Sequence, residues 1–166
     1  MKRILFLNGT IGVGKTTLGT YIQERMEDCI FIDADTLCFF GKNVYYSQLK
    51  NKIIENLVFV INNYLKSDVI DTIIIAWIFD NEKVNKIVEK IDRTFDLYFF
   101  LLDASPKTIE KHLSKNNYPA EQITFLIKES ERWRELLCTD SFYRIETDNL
   151  SLEEIYKIIL KQIKQS

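Results

Sequence analysis

The sequence has little glycine, cysteine and histidine, and it has no long apolar run. Its 166 residues include five glycines, three cysteines and one histidine. The cysteines, Cys29, Cys38 and Cys138, form no C-x-x-C pair and no metal-ligand spacing, which argues against a zinc site or a disulfide framework and favours reduced thiols. No run approaches the roughly 18 apolar residues of a membrane span, so we expect a cytoplasmic protein without a membrane partner.

The sequence also lacks an excess of positive charge. Its 22 lysines and arginines are balanced by 24 aspartates and glutamates, which gives a formal net charge of −2. Dedicated nucleic-acid binders are usually basic, so this balance argues against a nucleic-acid partner. Hydrophobic residues make up 46% of the chain, enough for a large core at this length. The length predicts one domain that spans residues 1–166.

Three of the five glycines stand together near the start of the chain. Residues 9–16, with the sequence GTIGVGKT, match the pattern G-x-x-x-x-G-K-[ST] of a phosphate-binding loop. An apolar run precedes the loop as a strand would, and Leu18, Ile22 and Met26 follow it at helical spacing. The glycines can adopt positive φ and curl the backbone around an anion, and the next helix adds its free N–H groups.

The loop predicts contacts with ATP and magnesium. Lys15 would reach the β- and γ-phosphates and act in catalysis, and the Thr16 hydroxyl would ligate Mg²⁺. Thr17 would donate to the α-phosphate. The residues that we expect to bind the nucleotide are Gly9, Thr10, Gly12, Val13, Gly14, Lys15, Thr16 and Thr17.

Strand-like and helix-like segments alternate along the rest of the chain. The predicted strands after the first are residues 29–32, 71–76, 95–102 and 142–147. The predicted later helices are about 47–66, 82–92, 106–115, 120–137 and 152–163. This alternation predicts a five-stranded parallel sheet with helices on both faces, a three-layer α/β/α fold. Ligands of such folds bind beyond the carboxyl ends of the strands.

Two carboxylates follow the second predicted strand. Asp33 and Asp35 would share a face if the strand continued through them, because side chains repeat every two residues. A kinase that phosphorylates a hydroxyl needs a carboxylate to orient it and accept its proton, and a second carboxylate can help hold Mg²⁺. We assign Asp35 as the base and Asp33 as the metal-side residue, although the reverse also fits. The alternative is that one or both cap the following turn.

The third predicted strand ends without the acidic residue that many phosphate-loop enzymes place there. Ala76 and Trp77 occupy that position instead. The indole of Trp77 fits either an acceptor pocket or the core. Asp80 comes later, and we expect it to cap the helix that follows.

Cations that could neutralise the transferred phosphoryl group are scarce. No arginine occurs between Arg93 and Arg132, although a short lid is expected around residues 104–133. Arg132 is our choice for the catalytic cation. Lys111 and Lys115 share a helix face, but a solvated face explains them better. The only histidine, His112, has no metal-ligand partner and fits a surface position.

The whole chain resembles the nucleotide kinase branch of the P-loop fold, which includes nucleoside monophosphate kinases, shikimate and gluconate kinases, and chloramphenicol phosphotransferase. Residues 6–17 and 31–35 carry the resemblance best. The Asp-x-Asp pair is similar to that of shikimate kinases, which implies Asp33 near Mg²⁺ and Asp35 near the acceptor hydroxyl. The resemblance also implies the strand order 2-3-1-4-5. The arginine-rich lid of the family is not evident in this sequence.

The leading hypothesis is an ATP- and Mg²⁺-dependent phosphotransferase acting on a small hydroxylated molecule or a nucleotide. Residues 37–46 and the following helix would build the acceptor pocket, where Phe39, Phe40, Tyr45 and Tyr46 suggest a partly aromatic wall. One alternative is a nucleotide-binding switch with slow hydrolysis, although the sequence has no Asn-Lys-x-Asp motif. Another is a polynucleotide 5′-kinase, which the acidic charge balance argues against.

Overall fold

A five-stranded parallel sheet forms the centre of the molecule. The computed structural model describes residues 2–91, 95–116, 118–137 and 141–164. The strands are β1 (Arg3–Asn8), β2 (Cys29–Asp33), β3 (Thr72–Ala76), β4 (Asp96–Asp103) and β5 (Tyr143–Glu146). They lie in the order β2-β3-β1-β4-β5, and all four pairings are parallel. The predicted sheet and the strand order implied by the resemblance are both confirmed.

Helices cover both faces of the sheet. They are α1 (Lys15–Gln23), α2 (Tyr46–Leu65), α3 (Asn81–Val88), α4 (Pro106–Lys115), α5 (Ala120–Leu136) and α6 (Leu152–Lys164). α1 ends at Gln23, so Met26 does not extend its apolar face as the spacing suggested. The predicted third helix reached residue 92, which lies outside the described residues. None of the described helices is long and apolar enough to cross a membrane.

The alternation of side chains along β1 divides the core into two halves. Ile4 and Phe6 face the layer that contains α2 and α3, whereas Leu5 and Leu7 face the layer that contains α1 and α6. All four side chains are fully buried. A strand that is apolar on both faces needs helices on both sides, which is the reason a parallel sheet is stable here. Each such side chain contributes about 1.5–3 kcal/mol through burial.

Helix ends confirm the capping signals of the sequence. Asp80 caps α3 by accepting a hydrogen bond from the backbone N–H of Lys83 at 2.8 Å. The Ser105 side chain likewise accepts from the Thr108 N–H, one turn into α4. Ser151 opens α6, and its backbone N–H donates to the Glu154 carboxylate at 2.8 Å. These caps place the starts of the helices at the carboxyl edge of the sheet.

The close packing of α1 against β2 gives a stability prediction. A Cβ at Gly19 would come within 2.2 Å of the Phe31 ring, whereas a Cβ at Gly41 would meet nothing within 4 Å. We expect Gly19→Ala to lower the free energy of unfolding by about 1–3 kcal/mol, because overpacking outweighs the gain in helix propensity. Urea denaturation measures this effect with Gly41→Ala as the control. Equal stability of the two variants would show that the ring moves aside without cost.

Candidate functional site

The turn between β1 and α1 curls back on itself at its glycines. Gly9, Gly12 and Gly14 have φ values of 147°, 78° and 107°. A Cβ at Gly9 would lie 2.7 Å from the Leu102 carbonyl oxygen, and one at Gly12 would lie 2.9 Å from the Ile109 side chain. Both the backbone conformation and the available space therefore require glycine. The curl leaves the first N–H groups of α1, including those of Lys15 and Thr16, without intrahelical acceptors.

The Lys15 side chain folds back over this turn. Its ammonium donates hydrogen bonds to the carbonyl oxygens of Gly9 at 2.8 Å and Thr10 at 2.9 Å. Burial lowers the pKa of Lys15 to about 8, while the nearby carboxylates of Asp35 and Asp33 act in the opposite direction. Anionic oxygens in this concavity would restore the solvation of the ammonium that burial removes.

Thr16 and Asp33 bring two oxygen ligands together at the start of α1. The Thr16 hydroxyl donates to Asp33 Oδ2 at 2.7 Å, and Asp33 Oδ1 accepts from the backbone N–H of Asp35 at 3.1 Å. Asp33 therefore caps the turn and also faces the loop. Its two expected roles, as a cap and as a metal-side residue, are compatible. Hydroxyl and carboxylate oxygens are ligands that Mg²⁺ prefers, and the pair fits this ion.

No larger cluster of metal ligands accompanies this pair. Within the described ranges there is no group of three or more His, Cys, Asp or Glu side chains that could hold a metal ion. Magnesium sites in phosphate-transfer enzymes commonly use one or two protein ligands and complete the shell with phosphate oxygens and water.

Asp35 also lies at the cleft, but it is not part of the strand as the sequence suggested. β2 ends at Asp33, and Ala34–Thr36 form a short 3₁₀ turn, so the condition for a shared strand face is not met. The cap by Asp33 ends the strand. The Trp77 indole N–H donates to Asp35 Oδ1 at 3.0 Å and holds the carboxylate in place. Burial and the Asp33 charge raise the pKa of Asp35.

Trp77 is a core residue that also makes a polar contact. Of the two alternatives left open above, the core position is therefore the one that the structure supports. Its side chain is 3% exposed, and the Lys83 ammonium lies 4.6 Å from the ring centroid. Phe79 and Tyr46 pack edge-on against the same indole. Lys83 is itself buried and donates to the Ile78 carbonyl at 2.6 Å. Sequence reasoning missed Lys83, because a lysine in a helix usually signals a solvated face.

The Trp77 contact gives a prediction that separates positioning from packing. Trp77→Phe keeps a buried ring but removes the N–H donor, so Asp35 loses its fixed orientation. We expect acceptor-dependent ADP formation to fall about tenfold with unchanged MgATP affinity, and stability to fall by about 1 kcal/mol. Trp133→Phe is the control, because this indole N–H makes no hydrogen bond with the described residues. A Trp77→Phe rate equal to that of the control would exclude the positioning role.

Helix α4 contacts the other side of the loop. His112 is half-buried, and its Nδ1 lies 2.9 Å from the Gly12 carbonyl oxygen, so it contacts the loop rather than standing free on the surface. The reason is tertiary: Gly12 packs against α4, which brings the imidazole onto the loop. Lys111 and Lys115 are exposed, as expected for solvated charges, and they also line the cleft.

The structure does not bring Arg132 to the loop. Its side chain is 74% exposed and lies 3.8 Å from the Glu129 carboxylate on the same helix. Arg134 turns instead to the end of β4, where its Nε lies 2.8 Å from Asp103 Oδ1. Arg144 of β5 also pairs with Asp103. The role of Arg132 as a catalytic cation stays a prediction.

Two buried polar contacts that the sequence did not reveal hold the loop in place. Asn8 Oδ1 accepts from the N–H groups of Gly9 at 2.8 Å and Phe79 at 2.9 Å, which ties the loop to the end of β3. The Ser130 hydroxyl of α5 donates to Thr10 Oγ1 at 2.7 Å. A polar residue that ends an apolar strand before a glycine was a usable signal for Asn8. No feature of the sequence around Ser130 indicated this contact.

These elements enclose one cleft of about 610 Å³, a volume typical of small-ligand sites. The loop forms its floor, and Asp33 and Asp35 lie on the side of β2. α4 and residues 147–150, which follow β5, form the other side. In this second wall the Asp148 carboxylate accepts from the backbone N–H of Ser105 at 2.8 Å and joins the end of β5 to the start of α4.

Comparison with solved structures identifies the fold to which this site belongs. No family model and no curated protein matches the sequence. A tunicamycin resistance protein from Deinococcus radiodurans has a TM-score of 0.69 at 18% identity, over 98% of this chain and 96% of that chain. A sugar kinase from Janibacter sp. has a TM-score of 0.71 at 16% identity, over 99% of this chain and 95% of that chain. The chain therefore has the P-loop kinase-like fold that its sequence resemblance implies.

Proposed function

We propose that the protein is a kinase that transfers the γ-phosphate of ATP to a hydroxyl group of a small molecule. The observation that carries this proposal is the cleft itself. A glycine turn with three positive φ values, a buried lysine ammonium and a carboxylate, Asp35, converge on one space of ligand size. Phosphoryl transfer depends mainly on positioning and electrostatic stabilisation, which these groups supply.

The loop residues would bind the triphosphate through backbone N–H groups and charge. Lys15 would exchange its hydrogen bonds to the Gly9 and Thr10 carbonyls for bonds to β- and γ-phosphate oxygens. Thr16, with Asp33 behind it, would hold Mg²⁺, which neutralises phosphate charge when bound. Thr17 follows at the helix start, is exposed, and would donate its hydroxyl to the α-phosphate.

Asp35 would act on the acceptor. The acceptor oxygen forms a bond to the γ-phosphorus while the bond between that phosphorus and the β–γ bridging oxygen breaks, and ADP leaves. The proton of the hydroxyl passes to the Asp35 carboxylate, whose orientation the Trp77 N–H fixes. The raised pKa of Asp35 suits a proton acceptor better than that of an exposed aspartate does.

Residues 104–133 form the proposed lid, with Arg132 as its predicted cation. α4 already contacts the loop through His112 and carries Lys111 and Lys115 on the cleft wall. Closure of such a segment would exclude water from the transferred group. The name of the Janibacter neighbour, a sugar kinase, supports transfer to a hydroxyl group, and its likeness extends over 99% of this chain.

A coupled assay of ADP formation with ATP and Mg²⁺ tests this proposal. Nucleosides, nucleotides, sugars and amino sugars serve as candidate acceptors. We expect at least one to stimulate ADP formation above the rate with water alone. Tight nucleotide binding without stimulation by any acceptor would favour a nucleotide-binding switch instead, and strongly salt-dependent binding of oligonucleotides would favour a polynucleotide kinase.

A further inference from the structure

A buried lysine in α3 carries a charge that the phosphate loop does not use. Lys83 is 4% exposed, donates to the Ile78 carbonyl at 2.6 Å and lies 3.6 Å from Asp80 Oδ2. Asp80 also has Lys50 at 3.7 Å, so Lys83 is not its only cation. Burial lowers the pKa of Lys83, because the folded state disfavours its charged form. An apolar side chain of similar length would avoid this cost, which indicates that the charge serves the site.

Three aromatic rings from three different elements surround the Lys83 ammonium. Trp77 follows β3, Tyr46 begins α2 and Trp133 lies in α5. Their ring centroids are 4.6, 5.7 and 5.8 Å from the ammonium, in that order. The nearest ring is the indole, which is the best aromatic partner for a cation. Tyr46 and Phe79 pack edge-on against the same indole. The ammonium therefore helps to fix the Trp77 ring between these elements.

The polar edge of the same indole is bonded to a residue of the cleft. The Trp77 N–H donates to Asp35 Oδ1 at 3.0 Å, and Asp35 lines the cleft. A cation close to an indole draws electron density away from the N–H and makes it a stronger donor. Lys83 does not belong to the described residues that line the cleft, so any effect on a ligand must pass through a neighbour. The indole is the neighbour that connects the buried charge to the cleft.

Given the proposed kinase function, we infer that Lys83 is a positioning residue, whose ammonium fixes the Trp77 indole so that its N–H orients the Asp35 carboxylate toward the acceptor hydroxyl. Lys83 forms no bond to substrate in this role. A carboxylate that loses its orientation leaves fewer bound complexes in a reactive geometry, so turnover falls while nucleotide affinity, which the loop provides, does not. If the lysine only filled space between the rings, an apolar side chain of similar length would serve equally well.

A double-mutant cycle between Lys83→Met and Trp77→Phe tests this inference. We expect Lys83→Met to lower the turnover number of acceptor-dependent ADP formation about fivefold, with MgATP affinity unchanged by calorimetry. In the Trp77→Phe background the N–H is already absent, so we expect the same change to cost less than about twofold. Equal losses in the two backgrounds would overturn the inference, as would an unchanged turnover number in the single variant Lys83→Met.

NMR of the indole N–H tests the same contact without any activity measurement. The sequence has two tryptophans, so in Trp133→Phe the remaining indole resonance belongs to Trp77. A hydrogen bond to a carboxylate moves this resonance downfield and slows its exchange with water. We expect Lys83→Met to move it upfield and to speed the exchange. An unchanged resonance would overturn the inference even if turnover fell. If MgATP does not bind the wild-type protein, the kinase proposal fails, and the role of Lys83 in transfer fails with it whatever the resonance shows.

Two further variants separate positioning from a general structural role. Lys86 of the same helix is 37% exposed and pairs with Glu82, so Lys86→Met should keep turnover within about twofold and leave the indole resonance in place. Lys83→Gln keeps a donor for the Ile78 carbonyl but not the charge, and it should behave as Lys83→Met does. We expect neither Lys83 variant to unfold at a lower temperature than the wild type, because the cost of a buried charge is removed. Full turnover in Lys83→Gln, or a loss of activity that only follows a loss of stability, would overturn the inference.

Discussion

Lys15→Ala is expected to lower acceptor-dependent ADP formation by about 10³-fold or more, because it removes the charge that we propose stabilises the transferred phosphoryl group. Its ammonium lies within the curl of the loop and donates hydrogen bonds to the backbone carbonyls of Gly9 and Thr10. No other lysine of the described residues donates a hydrogen bond to this turn. The coupled assay measures the rate, and calorimetry measures the accompanying loss of MgATP affinity.

The fold should survive this substitution. Burial lowers the pKa of Lys15 to about 8, which means that the folded state disfavours the charged form relative to the unfolded chain. Removing that charge relieves this cost, so we expect thermal unfolding at neutral pH to show no loss of stability. Lys52→Ala is the matched control, because Lys52 is exposed and its ion pair is with Glu55 on the same helix, α2. An unchanged turnover number in Lys15→Ala would refute the assignment of the loop.

Asp35→Asn is expected to reduce phosphoryl transfer by about 10²-fold with little change in MgATP affinity. The amide has nearly the same shape, and its oxygen can still accept the Trp77 N–H, so position is kept while basicity is lost. Single-turnover measurement with bound ATP separates this chemical step from binding.

Asp33→Asn is the companion of this experiment. Asp33 contacts the Thr16 hydroxyl, so its loss should raise the Mg²⁺ concentration needed for half-maximal rate. If Asp35→Asn instead weakens MgATP binding and leaves the transfer step intact, the two roles are exchanged. Full activity of both variants would show that neither carboxylate takes part.

The sequence predicted the fold well because the signals are local and repeated. Apolar runs marked β1 and β3, which are six and five residues long, and the capping serines marked the starts of α4 and α6. The glycine spacing of the loop likewise identified a turn whose backbone had to adopt positive φ. Strand order came from the family resemblance, since periodicity carries no information about which strands pair.

The site was less predictable because its key contacts join distant parts of the chain. Asp35 depends on Trp77, 42 positions away, and His112 on the carbonyl of Gly12, 100 positions away. Lys83 looked like an ordinary surface lysine because only the tertiary structure places aromatic rings around its ammonium. A single sequence shows the residue types in such networks but not their partners.

Isothermal titration of the protein with MgATP tests the central claim most directly, namely that the loop between β1 and α1 binds a triphosphate. We expect one site with micromolar or tighter affinity, weaker binding of ADP, and loss of the heat signal in Lys15→Ala. No heat with MgATP, or equal heat in Lys15→Ala, would contradict the claim.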